Sequence, residues 1–212
     1  MAVTCPWLHP LRRWTSWGLM SDEVRPAPGP DPWRTHRSRL VYDNLWISVR
    51  EDAVTRPDGT AGIYGVVSFK SLAVGAVVHF DDGDTVLVGQ HRYTLGAWSW
   101  EIPEGGADPA ADPLEEARRE LREETGLVGS RWTDLGSVHP SNSATDEAGR
   151  LWLVEDLQQG PAAPEGTEEL RVWRLPLGTA HALALDSTLT DSLTVIGLCR
   201  AAHHLAMRRS GS

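Results

Sequence analysis

The chain has 212 residues and 41% hydrophobic content, which suits one core domain with a trimmed or loosely attached end. Its 29 acids against 20 bases leave a formal charge of -9. That balance excludes a surface built to grip a nucleic-acid backbone, because affinity for the backbone comes mainly from Lys and Arg.

A small phosphate-bearing ligand is compatible with an acidic chain if metal ions supply the positive charge. Cys5 and Cys199 lie near opposite ends with no ligand spacing. No disulfide framework is expected, and a reducing, cytoplasmic compartment is the default. No apolar run is long enough to span a membrane, and residues 1–20 lack the continuous apolar stretch of a secretory signal. Met20 precedes Ser21-Asp22-Glu23 and a Pro-rich stretch over 26–32, so residues 1–31 read as a mobile leader with Met20 as an alternative start.

Regular patterning begins at Leu40. Alternating apolar positions at Val41, Leu45, Ile47 and Val49 predict one or two strands over 40–54. Pro57-Asp58-Gly59 is a turn signal, and a further strand is predicted over 62–69. Segments 73–80 and 85–90 flank Asp81-Asp82-Gly83-Asp84, the pattern of a hairpin. A short strand over 98–102 ends at Pro103, with a Gly-rich loop after it. Ten tryptophans, several of them in strand-like segments, read as large side chains packing a sheet.

The period then changes. Asp112-Pro113-Leu114-Glu115 carries an N-cap candidate followed by Pro at the first helical position. Leu114, Ala117 and Leu121 form a helical stripe, and Gly126 supplies the stop. Strands are predicted around 132–138, 151–155 and 170–175, and a helix over about 189–207. Hairpins mixed with two or three helices predict an α+β sandwich.

Chemistry concentrates on the central helix. Glu120, Glu123 and Glu124 lie three and four apart, so the three carboxylates share one face, bordering the apolar stripe at the rim of the core. Like charges so close repel one another, and a hard divalent cation among the oxygens makes the arrangement favourable. Gly105-Gly106, just ahead of the helix, lets backbone approach a metal or phosphate closely.

Residues 105–127 resemble the Nudix box: a glycine, five residues, a glutamate, seven residues, then Arg-Glu-apolar-x-Glu-Glu-x-Gly-apolar. Gly105, Arg119, Glu120, Leu121, Glu123, Glu124, Gly126 and Leu127 carry the match, and Ala111 stands where the family's first glutamate falls. Trp100-Glu101-Ile102-Pro103-Glu104-Gly105 and Gln90-His91-Arg92 are similar to segments of the ADP-ribose pyrophosphatase and nucleoside diphosphate sugar hydrolase branch.

The resemblance implies an α/β/α sandwich with a mixed central sheet and an N-terminal antiparallel sheet extension. It divides the chain into the leader at 1–31, strands at 32–70 that form a dimerisation sheet, and a catalytic domain at 71–208. It implies metal-dependent hydrolysis of a diphosphate linkage, in ADP-ribose or a nucleoside diphosphate sugar, by a homodimer. A nucleoside triphosphate or dinucleoside polyphosphate is the alternative substrate.

Glu120, Glu123 and Glu124, with the backbone carbonyl of Glu104, are the implied ligands of Mg²⁺ or Mn²⁺. Arg119 is expected to orient the box glutamates, and Arg92 and Glu101 to meet substrate, since an Arg fork suits phosphate oxygens. Glu168 aligns best as the base that activates water, with Glu147 and Glu169 as rivals. A non-catalytic Nudix module that senses a nucleotide is the reading that Ala111 keeps open.

Overall fold

The computed structural model describes residues 28–160 and 169–210. The leader expected over 1–31 lies outside the described residues apart from 28–31, which carry no regular structure, and Glu168 lies outside them too. The chain divides into two compact units: one runs through Ser68 and takes in Ala144–Asp146, and the other comprises Phe69–Ser143 and Glu147–Ser212.

The first unit is a three-stranded sheet in the order β1-β2-β3, with β1 at Arg34–Asp43, β2 at Ile47–Thr55 and β3 at Ala61–Phe69. The alternation over 40–54 therefore spans two strands, which pair antiparallel. Asn44 makes the turn between them, its Oδ1 accepting from the amides of Trp46 and Ile47 at 2.8 Å each. The second turn uses Gly59 at φ 83°, a conformation glycine adopts without steric cost. β1 begins at Arg34, ahead of the apolar pattern, because a strand exposed along its whole length needs no apolar face to announce it.

The second unit holds two sheets. One is antiparallel in the order β10-β5-β6, built from Arg171–Pro176, Asp84–Arg92 and Ala97–Glu101. The other has the order β7-β4-β9-β8, from Glu104–Ala107, Leu72–Val78, Gly149–Gln159 and Leu127–Val138. It is mixed, since β4 runs parallel to β9 while the remaining pairs are antiparallel.

Two local expectations are corrected here. The turn at 81–84 does reverse the chain, with the Phe80 amide donating to Asp84 O at 3.0 Å. Its flanking strands nevertheless belong to different sheets, so they form no hairpin ladder. β4 is a nearly continuous buried run paired on both edges by β7 and β9, which leaves no edge for β5. The Gly-rich segment after Pro103 is itself the short strand β7, its glycines paired with Ala73 and Val74.

Helix α1, Pro113–Thr125, forms as its sequence signals direct. Asp112 Oδ1 accepts from the Leu114 amide at 2.9 Å, and Gly126 at φ 71° donates its amide to Arg122 O at 2.9 Å. Ala117 and Leu121 are buried, and Leu121 joins Ala76, Val78, Val86, Leu127 and Val154 in one core cluster. A larger cluster joins Val77, Leu87, Ile102, Leu151 and Leu153 to α2 (Leu177–Leu185) and α3 (Ser192–Ser210). Successive residues of β4 thus face opposite layers, which gives the helix–sheet–helix sandwich.

Gly197 on α3 meets the sheet closely, since a Cβ there would lie 3.1 Å from Val77 and 3.2 Å from Ile102. Trp98, Trp100 and Trp173 pack edge to face at centroid spacings of 6.1 and 5.4 Å, the sheet-packing use expected of them. Among the described residues no helix is long and apolar enough to cross a membrane.

Candidate active site

The second unit opens into a cleft of about 830 Å³, within the size range of small-molecule sites. Helix α1 presents Arg119, Glu120, Glu123 and Glu124 to it, β7 presents Glu104 and Gly105, and β5 and β6 present Arg92 and Glu101. Glu147, just ahead of β9, lines the cleft as well. Every described residue picked from the sequence as a principal site candidate is therefore at one place. Glu169, the remaining rival base, is a solvent-exposed residue that does not line the cleft.

Two of the three box glutamates, Glu120 and Glu123, are held by one arginine. Arg119 donates from Nη1 to Glu123 Oε2 at 2.6 Å and from Nη2 to Glu120 Oε1 at 2.7 Å and Glu116 Oε2 at 3.0 Å. Three carboxylates on one helix face would otherwise repel, and the guanidinium fork offsets that repulsion while fixing their directions. Glu124 takes a different partner: its Oε2 accepts from the Glu104 backbone amide at 3.1 Å. Burial nevertheless raises the Glu120 carboxyl above the usual range, against the pull of Arg119.

The donor set suits a hard cation, and the backbone is shaped around it. A side chain at Gly105 would run into the Glu120 carboxylate, so only glycine lets that carboxylate lie against β7. Oxygen ligands of this kind, from carboxylates and main-chain carbonyls, are what Mg²⁺ and Mn²⁺ take. The turn between β7 and α1 is braced without the missing glutamate. Asp108 accepts from the Ala110 amide through its side chain at 2.8 Å and from the Ala111 amide through its carbonyl at 3.0 Å.

Arg92 does not lie loose in the cleft. Its fork sits on Glu101, which is buried, and its Nη2 also reaches Glu104 Oε1 at 3.3 Å. Pairing with Glu101 raises the Arg92 pKa still further. The Glu104 carboxyl is pushed well above the usual range by burial, then by Asp191 and Glu101, with Arg92 opposing. Glu147 is raised by burial and by Asp191.

Asp191 is the site residue that sequence reading missed. It lines the cleft and caps α3, its Oδ2 accepting from the Thr194 amide at 2.8 Å. Asp191 followed by Ser192 and an apolar run is a helix-start signal. That signal could have placed the helix boundary; nearness to Glu101 and Glu104 is a tertiary event that no local pattern carries.

Known proteins resemble this chain in sequence and in fold. Residues 70–191 match the NUDIX domain, and residues 33–67 match the nucleoside diphosphate sugar hydrolase N-terminal domain. An ADP-ribose pyrophosphatase of Mycobacterium tuberculosis is 30% identical over 169 residues, covering 78% of this chain and 81% of the relative. A CMP-5'-(N-acetyl-N-hydroxy-3-aminopropyl)phosphonate hydrolase of Streptomyces rubellomurinus is 29% identical over 168 residues, covering 78% and 80%. A crystal structure of an ADP compounds hydrolase superposes with a TM-score of 0.73 at 17% identity, covering 86% of this chain and 98% of that one. That last likeness concerns the fold alone.

Proposed function

The chain belongs to the Nudix family, and we propose that it hydrolyses the diphosphate linkage of ADP-ribose or a nucleoside diphosphate sugar. The products are a nucleoside monophosphate and a sugar phosphate. The observation that carries this reading is the convergence of Glu120, Glu123, Glu124 and Arg119 with Arg92 and Glu101 on one cleft. Two arginines and a set of oxygen ligands are what a diphosphate needs, because its own charge repels any nucleophile.

Glu120, Glu123 and Glu124 with the Glu104 carbonyl would hold the divalent cation, Mg²⁺ by preference and Mn²⁺ as a substitute. Bound there, it would supply neutralisation of phosphate charge and acidification of water. Arg119 keeps the box carboxylates aimed, and Arg92, steadied by Glu101, binds a phosphate oxygen.

Glu168 aligns best as the base but lies outside the described residues; Glu147, its rival, lines the cleft and is assigned the proton from the attacking water in this reading. Its partial burial and the nearby Asp191 hold its carboxyl above the ordinary range, toward the working pH of a general base. Glu147→Gln is expected to lower kcat by about 10²–10⁴. A loss of that size in Glu168→Gln, with Glu147→Gln near normal, moves the role to Glu168.

The N-terminal strands at 32–70 serve as a dimerisation sheet. Leu45 and Trp46 are 82% and 70% exposed there, beside exposed Leu40, Val41, Tyr42 and Ile63, and an apolar patch of this kind marks an interaction surface. Sedimentation at twice the 23.3 kDa chain mass is expected; a monomer at micromolar concentration overturns the assignment. A cytoplasmic setting belongs to the same reading and rests on the cysteine usage.

Product identity tests the reaction. ADP-ribose should yield AMP and ribose 5-phosphate in equal amounts. Release of free ribose or inorganic phosphate in their place would put the cleavage at the wrong bond.

A further inference from the structure

A second group of acids lies outside the glutamate run of α1. Glu101 at the end of β6, Glu104 at the start of β7 and Asp191 ahead of α3 each offer a carboxylate oxygen within 4.8 Å of the others. The hydrogen-bonding base in contact with this trio is Arg92, which bonds Glu101 and Glu104. Glu104 Oε2 is sealed from solvent and accepts no hydrogen bond. When all three are ionised, the one guanidinium that bonds any of them among the described residues leaves two negative charges uncompensated, and an unmet buried carboxylate oxygen is costly. Two charges are what a hard divalent cation brings, and oxygens from three separate elements are the ligands it takes.

We propose that Glu101, Glu104 and Asp191 form a second divalent-cation site, built beside the box glutamates from a separate set of carboxylates. Asp191 is prepared for it, because the Thr194 amide fixes its carboxylate through Oδ2. Glu104 links the two sites, since its amide is bonded to Glu124 while its carboxylate belongs to the trio. The competing compensation is a proton shared between Glu104 and a neighbouring acid, which predicts no metal at this place.

The test is Mn²⁺ titration of the full chain, with free Mn²⁺ read by electron paramagnetic resonance and heat by calorimetry. In a Glu120→Gln, Glu124→Gln double variant the box is disabled, and about one Mn²⁺ per chain is expected to remain bound. Adding Asp191→Asn should weaken that remaining binding at least about tenfold. Asn caps a helix as well as Asp, so α3 should persist, and melting in chelator checks this. Glu104→Gln in the same background is the second variant and should have the same effect on Mn²⁺.

The proposal is overturned if the double variant binds no Mn²⁺. It is also overturned if the Mn²⁺ it retains is unmoved by both Asp191→Asn and Glu104→Gln. These readouts follow binding, so they stand or fall separately from the hydrolase reading.

Discussion

Glu124→Gln is expected to lower kcat by about 10²–10⁴, since ligation of the cation contributes several kcal/mol to transition-state stabilisation and each 1.36 kcal/mol is tenfold. The fold should survive. Glu124 accepts from the Glu104 amide at 3.1 Å, and the carbonyl oxygen of Gln can take the same bond. What the substitution removes is the charge. Equal melting temperatures in chelator, together with a large loss of kcat in Mg²⁺, would separate the two roles. An unchanged rate would remove Glu124 from the ligand set.

The largest stability effect lies away from the cleft, at Glu155 on β9. Its side chain is 3% exposed and accepts both arms of Arg208 at 2.8 Å, with His79 Nδ1 at 3.1 Å and Arg131 at 3.5 Å. The Arg208 bonds are the main cause that holds this carboxyl at about 2, against a burial cost and with help from His79. The pair fastens the last turn of α3 to the sheet.

A folded pKa of about 2 against an ordinary 4.5 corresponds to about 3 kcal/mol. Arg208 is 44% exposed, so solvent screening reduces that to about 2 kcal/mol. Glu155→Gln should therefore lower the melting temperature by roughly 4–8 °C at pH 7 for a chain of this size. Because the folded pKa is depressed, the stabilisation is fully present above pH 4.5. It is lost as pH falls through 2. The gap between the two proteins should shrink below pH 4.5 and close toward pH 2, as melting curves at several pH values will show. A gap that is constant with pH would mean that packing, not charge, makes the difference.

These two sites differ in how far sequence exposes them. The box helix was legible because each signal was local: Asp112 and Gly126 mark its ends, Ala117 and Leu121 its buried stripe, and Glu120, Glu123 and Glu124 one face. Arg119 was legible for the same reason, as its partners lie three and four residues away or next to it on the helix. Helix α2 was missed. Leu177–Leu185 is apolar nearly all round and has no side-chain N-cap, so neither periodicity nor capping marks it.

The strand β7 carries no sequence signal of its own, because Glu104, Gly105 and Gly106 have poor strand propensity. Pairing with β4 overrides that preference. The pairing of β5 with β10, across 84–92 and 171–176, likewise depends on contacts too distant in sequence for a turn signal to announce. Glu155 and Asp191 are of this second kind. Neither stands at a spacing that marks it, and its significance comes from residues that folding brings beside it.

The central claim is metal-dependent hydrolysis of a diphosphate at the α1 cleft. Its most direct test is turnover of a panel of ADP-ribose, nucleotide sugars, dinucleotides and nucleoside triphosphates, with Mg²⁺, with Mn²⁺ and with chelator, beside Glu124→Gln. The expected result is turnover of ADP-ribose or a nucleotide sugar that needs the metal and disappears in the variant. A folded chain that binds a nucleotide yet turns over nothing on the panel would contradict it, and would identify a sensor in place of a hydrolase.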